Sequence, residues 1–404
     1  MVKRNENFTK LTAGYLFPEI NRRKKLVAEK NPNAKIISLG VGDTTLPLSL
    51  HITEGLLKES NALSTKEGYS GYGDEQGMTS LRRKISENIY GGAVSPDEVF
   101  VSDGAKCDIS RLQVLFGKDA SVAIQDPSYP VYVDGSVIIG ATGKYNEKKG
   151  QFDKIVYMKC TPENNFFPDL ENLPRTDLIY FCSPNNPTGA VATREELKKL
   201  VDFAKKNKSI ILFDSAYSFF ISDEKLPKSI YEVEGAKEVA IEISSFSKPA
   251  GFTGVRLGWT VVPQLLSYDD GSSVNKDWNR VMTTLFNGAS NVAQYGGLYA
   301  LDNKGVVEMK ETIDHYLENT RLIKNALESF NIKTYGGTNA PYIWAHFPGK
   351  KSWDVFEEIL NKTFVVTTPG AGFGPAGEGF LRFSGFNTRE NTLEAIERLK
   401  KLKF

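Results

Sequence analysis

The sequence predicts an α/β fold: a large domain with a mostly parallel sheet sandwiched by helices, and a smaller α+β domain beside it. Three observations predict it. Short apolar runs, rich in β-branched and aromatic residues, recur between residues 98 and 243. They alternate with amphipathic stretches of helical spacing. From about residue 275 the texture changes to long helical patterns, then to short mixed segments. Strands that alternate with helices imply parallel pairing with helices on both faces.

The elements follow in chain order. Residues 76–90 (QGMTSLRRKISENIY) form an amphipathic helix pattern. The apolar runs are 98–101, 121–124, 178–182, 210–213 and 239–243. They are too short for helices and read as strands buried on both faces. Residues 193–207 predict a helix with Leu197, Leu200, Val201 and Ala204 on one face, opened by a capping box of Thr193 and Glu196. Two long helices are expected over 277–301 and 306–330, and a last one over 388–402. The expected domains are 1–45, an arm packing with the smaller domain; 46–285, the large domain; and 286–404, a linking helix and the small C-terminal domain.

Composition narrows the function. Lys plus Arg number 50 and Asp plus Glu 49, so the net charge of +1 gives no general reason to bind nucleic acid or a lipid surface. Cys107, Cys160 and Cys182 are too few and too scattered for a disulfide framework, and His51, His315 and His346 lack ligand spacing. No metal site is expected. The start, MVKRNENFTKL, has no apolar stretch after its basic residues, so it does not read as a secretory signal. No window approaches the roughly 20 apolar residues of a membrane span. A cytoplasmic location is expected.

Ligands of parallel sheets sit beyond the carboxyl ends of the strands. Four strand ends in turn carry polar and aromatic groups: 125–129 (QDPSY), 183–187 (SPNNP), 214–217 (DSAY) and 244–248 (SSFSK). The segment 244–259 (SSFSKPAGFTGVRLGW) sets Ser245, Lys248 and Arg256 among glycines. Hydroxyl and guanidinium groups both bind phosphate, and glycines let the backbone approach it, so the spacing suits an anion next to a reactive amine. Taken singly, each residue has a plainer reading: a surface lysine, a strand-end aspartate in a turn, a tyrosine packed in a core. Gly372-Phe-Gly374-Pro-Ala-Gly377 has dinucleotide-loop spacing, but Pro375 interrupts it and a strand pattern follows. It reads as a turn that delivers Arg382.

Together, the lysine segment, SPNNPTG (183–189) and DSAY (214–217) resemble the fold-type-I aminotransferases, along the whole length from AGYLFPEI (13–20) to LRFSGF (381–386). More narrowly, LGVGDTTLPL (39–48), GYGDEQG (71–77), VSDGAK (101–106), IQDPSYPVY (124–132) and FNGASNVAQ (286–294) are similar to the LL-diaminopimelate aminotransferase family. The resemblance implies a seven-stranded large-domain sheet and the cofactor pyridoxal 5'-phosphate, which supplies the electronics while the protein positions it. Lys248 would carry the cofactor as a Schiff base and shuttle protons. Asp214 would face the pyridine nitrogen. Asn186 and Tyr217 would reach the phenolic oxygen, and Tyr129 would lie against the ring. The phosphate would take Ser245, Ser247, Arg256, the amides of Ala105 and Lys106 at a helix start, and Tyr72 from a partner subunit. Arg382 would fork onto the substrate α-carboxylate. Tyr15, Gly42, Lys106, Tyr129, Asn186 and Asn287 would surround the rest, Asn287 also near the cofactor, with Glu75 reaching the distal ammonium across a homodimer.

The implied reaction is a two-step transfer. Glutamate loads the cofactor and leaves 2-oxoglutarate, and tetrahydrodipicolinate then becomes LL-diaminopimelate for lysine synthesis. A broad aspartate, aromatic or kynurenine aminotransferase, or a carbon–sulfur lyase, shares the scaffold. A regulator with an aminotransferase-like body would need a basic DNA-binding domain, and none of the 404 residues reads as one. A cofactor-free binding protein would leave Lys248 idle.

Overall fold

The computed structural model describes residues 1–11 and 16–402. Its centre is a seven-stranded sheet: β1 (Val99–Ser102), β2 (Val122–Asp126), β3 (Ile155–Lys159), β4 (Leu178–Cys182), β5 (Ile210–Asp214), β6 (Ala240–Ser245) and β7 (Gly258–Val261), in the spatial order β1-β7-β6-β5-β4-β2-β3. The pairs β3/β2, β2/β4, β4/β5 and β5/β6 are parallel, and β7 runs antiparallel to both β6 and β1. Every residue of β4 and β6 is buried, as a sheet covered on both faces requires.

The helix Arg194–Asn207 shows why the covering layer forms. Thr193 Oγ1 accepts the Glu196 amide at 3.2 Å while Glu196 accepts the Thr193 amide at 2.8 Å, the reciprocal cap read from the sequence. Leu197, Leu200, Val201 and Ala204 then pack on Ile179, Phe181, Ile211 and Phe213. Burying one such side chain is worth roughly 1.5–3 kcal/mol.

A second sheet, antiparallel, is built from β8 (Lys333–Gly336), β9 (Tyr342–His346), β10 (Thr368–Pro369) and β11 (Phe380–Ser384) in the order β8-β9-β11-β10. Leu16, Ile20 and Val27 of the helix Leu16–Lys30 share its core with Trp344, Phe356 and Leu381. The first residues turn the other way: Asn5 donates to the Ile138 carbonyl at 3.4 Å, beside the larger sheet. Among the described residues no helix is long and apolar enough to cross a membrane.

Two details differ from the sequence reading and a third agrees with it. The single helix expected over 277–301 is two, Val274–Leu285 and Asn291–Ala300. Between them Gly288 adopts φ +87°, and a Cβ there would lie 2.9 Å from the Asp74 carbonyl. Strands β3 and β7 are not among the apolar runs read from the sequence; β7 has only four residues and starts at Gly258, within the glycine-rich lysine segment. The glycines at 370–377 form two short 3₁₀ turns that lead into β11, in line with the turn expected there.

Candidate active site

The parallel strands end on one edge of the sheet, and a cavity of about 590 Å³ lies there. Chain reversal at β7 shapes its floor. Gly258 pairs with both Ser245 and Ser102, which brings the lysine segment against the start of the helix Ala105–Phe116. A Cβ at Gly258 would lie 2.9 Å from Gly104 Cα and 3.0 Å from the Ala105 amide. Gly104 itself sits at φ +119° against the Arg256 guanidinium, leaving no room for a side chain. Arg256 donates to Ser247 Oγ at 3.3 Å, and the Ser247 amide donates to Ser245 Oγ at 3.0 Å. The first-turn amides of Ala105 and Lys106 have no acceptor within their own helix. Hydroxyls, a guanidinium and a helix N-terminus thus converge where β1 and β6 end, a cradle for an anion.

Lys248 stands beside that cradle. Its ammonium donates to the Gly42 carbonyl and lies 5.6 Å from the Phe386 ring centre. Burial pushes its pKa down to about 8, with Arg382, Arg256 and Lys106 adding to the push and Asp43 opposing it. An amine so placed yields its proton easily near neutral pH.

Asp214 ends β5 and is only 6% exposed. Tyr132 donates its hydroxyl to Oδ2 at 2.6 Å, and the Ala216 amide donates to Oδ1 at 3.1 Å. Burial raises its pKa above the ordinary carboxylate value, while those two donors pull the other way. Tyr217, three residues on, holds its hydroxyl 2.7 Å from that of Tyr342.

Arg382 on β11 is 1% exposed. It donates to Asn186 Oδ1 at 2.6 Å and to the Gly40 carbonyl. Its guanidinium carbon lies 4.4 Å from the Tyr342 ring centre and 4.9 Å from that of Phe373. Among the described residues its hydrogen-bond acceptors are the Asn186 amide oxygen, the Gly40 carbonyl and the Thr368 hydroxyl, none of them a carboxylate, and its Nε has no partner. A buried charge without a counter-charge costs several kcal/mol, so this site is built for an anionic visitor.

Twelve residues singled out in the sequence line this cavity: Gly42, Ala105, Lys106, Tyr129, Asn186, Asp214, Tyr217, Ser245, Ser247, Lys248, Arg256 and Arg382. Lys106 Nζ stands 5.6 Å from the Tyr129 ring centre. Tyr72, Glu75 and Asn287 are exposed and do not line it. They lie close together: Asn291 donates to Ser70 at 2.8 Å and the Met78 amide to Gln294 at 2.7 Å, tying the 70–78 loop to the stretch after Asn287. Tyr15 falls outside the described residues. Sequence reasoning missed Tyr132, Tyr342 and Asp43, which also line the cavity. Tyr132 lay within the quoted 124–132 motif. Tyr342 had no local signal. It reaches Arg382 because β9 pairs Tyr342 with Ser384, leaving Arg382 its diagonal neighbour on the same face.

The model of the family described as aminotransferase class I and II matches residues 34–399. The chain belongs to this family. It is therefore an enzyme that acts on small molecules with pyridoxal phosphate as its cofactor. The chain is 59% identical over 402 residues to the chloroplastic LL-diaminopimelate aminotransferase of Arabidopsis thaliana, covering 99% of this chain and 87% of that one. It is 55% identical over 400 residues to the LL-diaminopimelate aminotransferase of Protochlamydia amoebophila, covering 99% and 97%. A solved L,L-diaminopimelate aminotransferase from Chlamydomonas reinhardtii superposes with a TM-score of 0.96 at 59% identity, covering 99% of this chain and 98% of that one.

The cavity of this aminotransferase fits its cofactor. The cradle at Gly104 and Gly258, which a Cβ would fill, offers donors for a phosphate. Asp214 offers a buried carboxylate for a pyridinium nitrogen, and Lys248 an easily deprotonated amine for a carbonyl. Bound there, pyridoxal phosphate supplies an electron sink for carbanion chemistry.

Proposed function

We propose that the chain is an LL-diaminopimelate aminotransferase, moving an amino group from glutamate to tetrahydrodipicolinate to give LL-diaminopimelate and 2-oxoglutarate. Full-length identity of 55–59% to relatives of that name supports the substrate choice. The observation that carries the chemistry is the buried Arg382, without a carboxylate partner among the described residues, on the same cavity as Lys248 and Asp214.

The residues take these roles. Ser245, Ser247, Arg256 and the amides of Ala105 and Lys106 bind the phosphate. Asp214, oriented by Tyr132 and the Ala216 amide, keeps the pyridine nitrogen protonated. Tyr217 and Asn186 donate to the phenolic oxygen, and Tyr129 covers the ring. Arg382 binds the α-carboxylate common to every amino and keto acid in the reaction. The α-carbon would then lie toward Lys248, whose amine would take and return the proton at that carbon. Gly42 and Lys106 border the substrate.

The reading includes a cytoplasmic homodimer. Tyr72, Glu75 and Asn287 are exposed, and the chain also carries large exposed apolar side chains. Leu50 and Leu57, seven residues apart on one side of the helix Leu50–Ala62, belong to that set with Tyr69 and Leu285. Such patches mark protein contacts. A second copy would cover them and bring Tyr72, Glu75 and Asn287 to the neighbouring cavity.

The test is a substrate panel with purified protein and added pyridoxal phosphate. LL-diaminopimelate with 2-oxoglutarate should turn over readily. No turnover of that pair, alongside efficient use of aspartate or aromatic amino acids, would reject the substrate choice.

A further inference from the structure

Tyr342 belongs to no motif read in the sequence, yet it touches both ends of the reacting centre. It is 1% exposed. Its hydroxyl lies 2.7 Å from the Tyr217 hydroxyl, its ring lies under the Arg382 guanidinium at 4.4 Å, and it meets the Tyr217 ring edge-on at 5.1 Å. Gly42, whose carbonyl accepts from Lys248, has no space for a Cβ because the Tyr342 hydroxyl occupies it. One side chain therefore contacts the groups assigned to the cofactor's phenolic oxygen and to the substrate carboxylate, and limits the backbone that meets the reactive lysine.

We propose that Tyr342 is a positioning residue that couples carboxylate capture at Arg382 to hydrogen bonding at Tyr217. The proposal rests on the roles given above for those two residues. Its direction follows from counting protons. A tyrosine hydroxyl has one proton to donate. If Tyr217 gives its proton to the phenolic oxygen, the 2.7 Å bond leaves Tyr342 as donor to Tyr217. A hydroxyl that accepts a bond donates a stronger one. The same ring offers Arg382 an aromatic face, which attracts a buried guanidinium and holds its fork in plane for a carboxylate. The charged and titratable groups facing the two tyrosines are Arg382, Cys182 and Asp214.

Two variants separate the functions. Tyr342→Phe keeps the ring and removes the hydroxyl. With a weaker bond from Tyr217, the phenolic oxygen is less stabilised as an anion, so it helps the neighbouring Lys248 nitrogen keep its proton to higher pH. The midpoint of the pH-dependent visible absorbance of the loaded enzyme should rise by about 0.5–1 unit, with KM changed less than about twofold. Tyr342→Met fills similar volume without an aromatic face. It should raise KM for both amino and keto acid by about 3- to 30-fold. Should that variant fail to fold, Tyr342→Leu, which also lacks an aromatic face, should show the same rise in KM. An unmoved midpoint in Tyr342→Phe, or an unmoved KM in Tyr342→Met, overturns the proposal. The underlying roles fail separately: Arg382→Ala with an unchanged KM, or Lys248→Ala that keeps its visible band, strikes the reading of the site whatever Tyr342 does.

Discussion

Two regions of this chain carry the same kinds of side chain in opposite settings. At the strand ends, Asp214, Lys248 and Arg382 gather around one cavity with Tyr132, Tyr217 and Tyr342 bonded among them. On the outer face, Tyr72 is 89% exposed, with Glu75 and Asn287 exposed nearby. The first region spends burial on fixing charges; the second leaves an aromatic, a carboxylate and an amide in water. The difference teaches which parts of the chemistry one chain completes. In the function proposed above, proton transfer and carboxylate capture have all their groups within it, whereas the outer residues act only if another surface meets them.

The strongest way to break this comparison is to find the outer face as important as the inner one. Lys248→Ala should lower turnover by about 10³-fold or more and abolish the visible band, since it removes both the covalent link and the proton carrier. Tyr72→Ala should weaken pyridoxal phosphate binding by roughly 5- to 30-fold, the value of one or two net hydrogen bonds. Steady-state kinetics and a cofactor titration of the apoenzymes decide it. Equal losses in the two variants would erase the distinction.

Arg382→Ala should come next. Removing the guanidinium proposed to make two charge-assisted bonds to the α-carboxylate should raise KM for glutamate and for LL-diaminopimelate by about 10²-fold. Both values must rise together, because the α-carboxylate is common to the two. A rise confined to one substrate would assign Arg382 to a distal group instead.

These ranks also explain what was legible beforehand. The buried strands, the capped helix and the four polar strand ends were readable because burial on both faces and 3.6-residue spacing are local signals. The twelve cavity residues came from short motifs, most of them next to those strands, and from the family resemblance that those motifs carry. Tyr342 was illegible because its meeting with Arg382 depends on the register of β9 with β11, two strands separated by more than thirty residues of sequence. The break at Gly288 was hidden because apolar spacing continues across it; the Asp74 carbonyl that forbids a side chain there lies more than two hundred residues earlier.

Charging the apolar outer face sharpens the comparison from the other side. Leu57 is 54% exposed, so a lone chain should tolerate Leu57→Glu within about 0.5 kcal/mol. A dimer that buries it should not. Sedimentation of the variant should show a smaller species, with activity that recovers as protein concentration rises. A variant that sediments and works like wild type would place the partner contact elsewhere.

The smallest effect concerns the apoenzyme and pH. The Lys248 amine has an ordinary pKa of 10.5, lowered to about 8 in the fold. Below pH 8 both folded and unfolded chains carry the proton, and the fold bears the full penalty of the buried charge. Between 8 and 10.5 the unfolded chain holds more protons than the folded one, so stability rises with pH through that window and levels off above it. Lys248→Met removes the penalty. The apo variant should therefore be more stable than wild-type apoenzyme at pH 7, by on the order of 1–3 kcal/mol, and its advantage should fade as pH climbs from 8 past 10.5. Glu75→Gln, on the outer face, should shift stability by less than about 0.5 kcal/mol at either pH. Urea unfolding at pH 7 and pH 10 measures all three proteins. An advantage for Lys248→Met that is absent at pH 7, or that grows with pH, would mean the lysine is not held against its charge, and the contrast between the buried and the outer groups would lose its electrostatic basis.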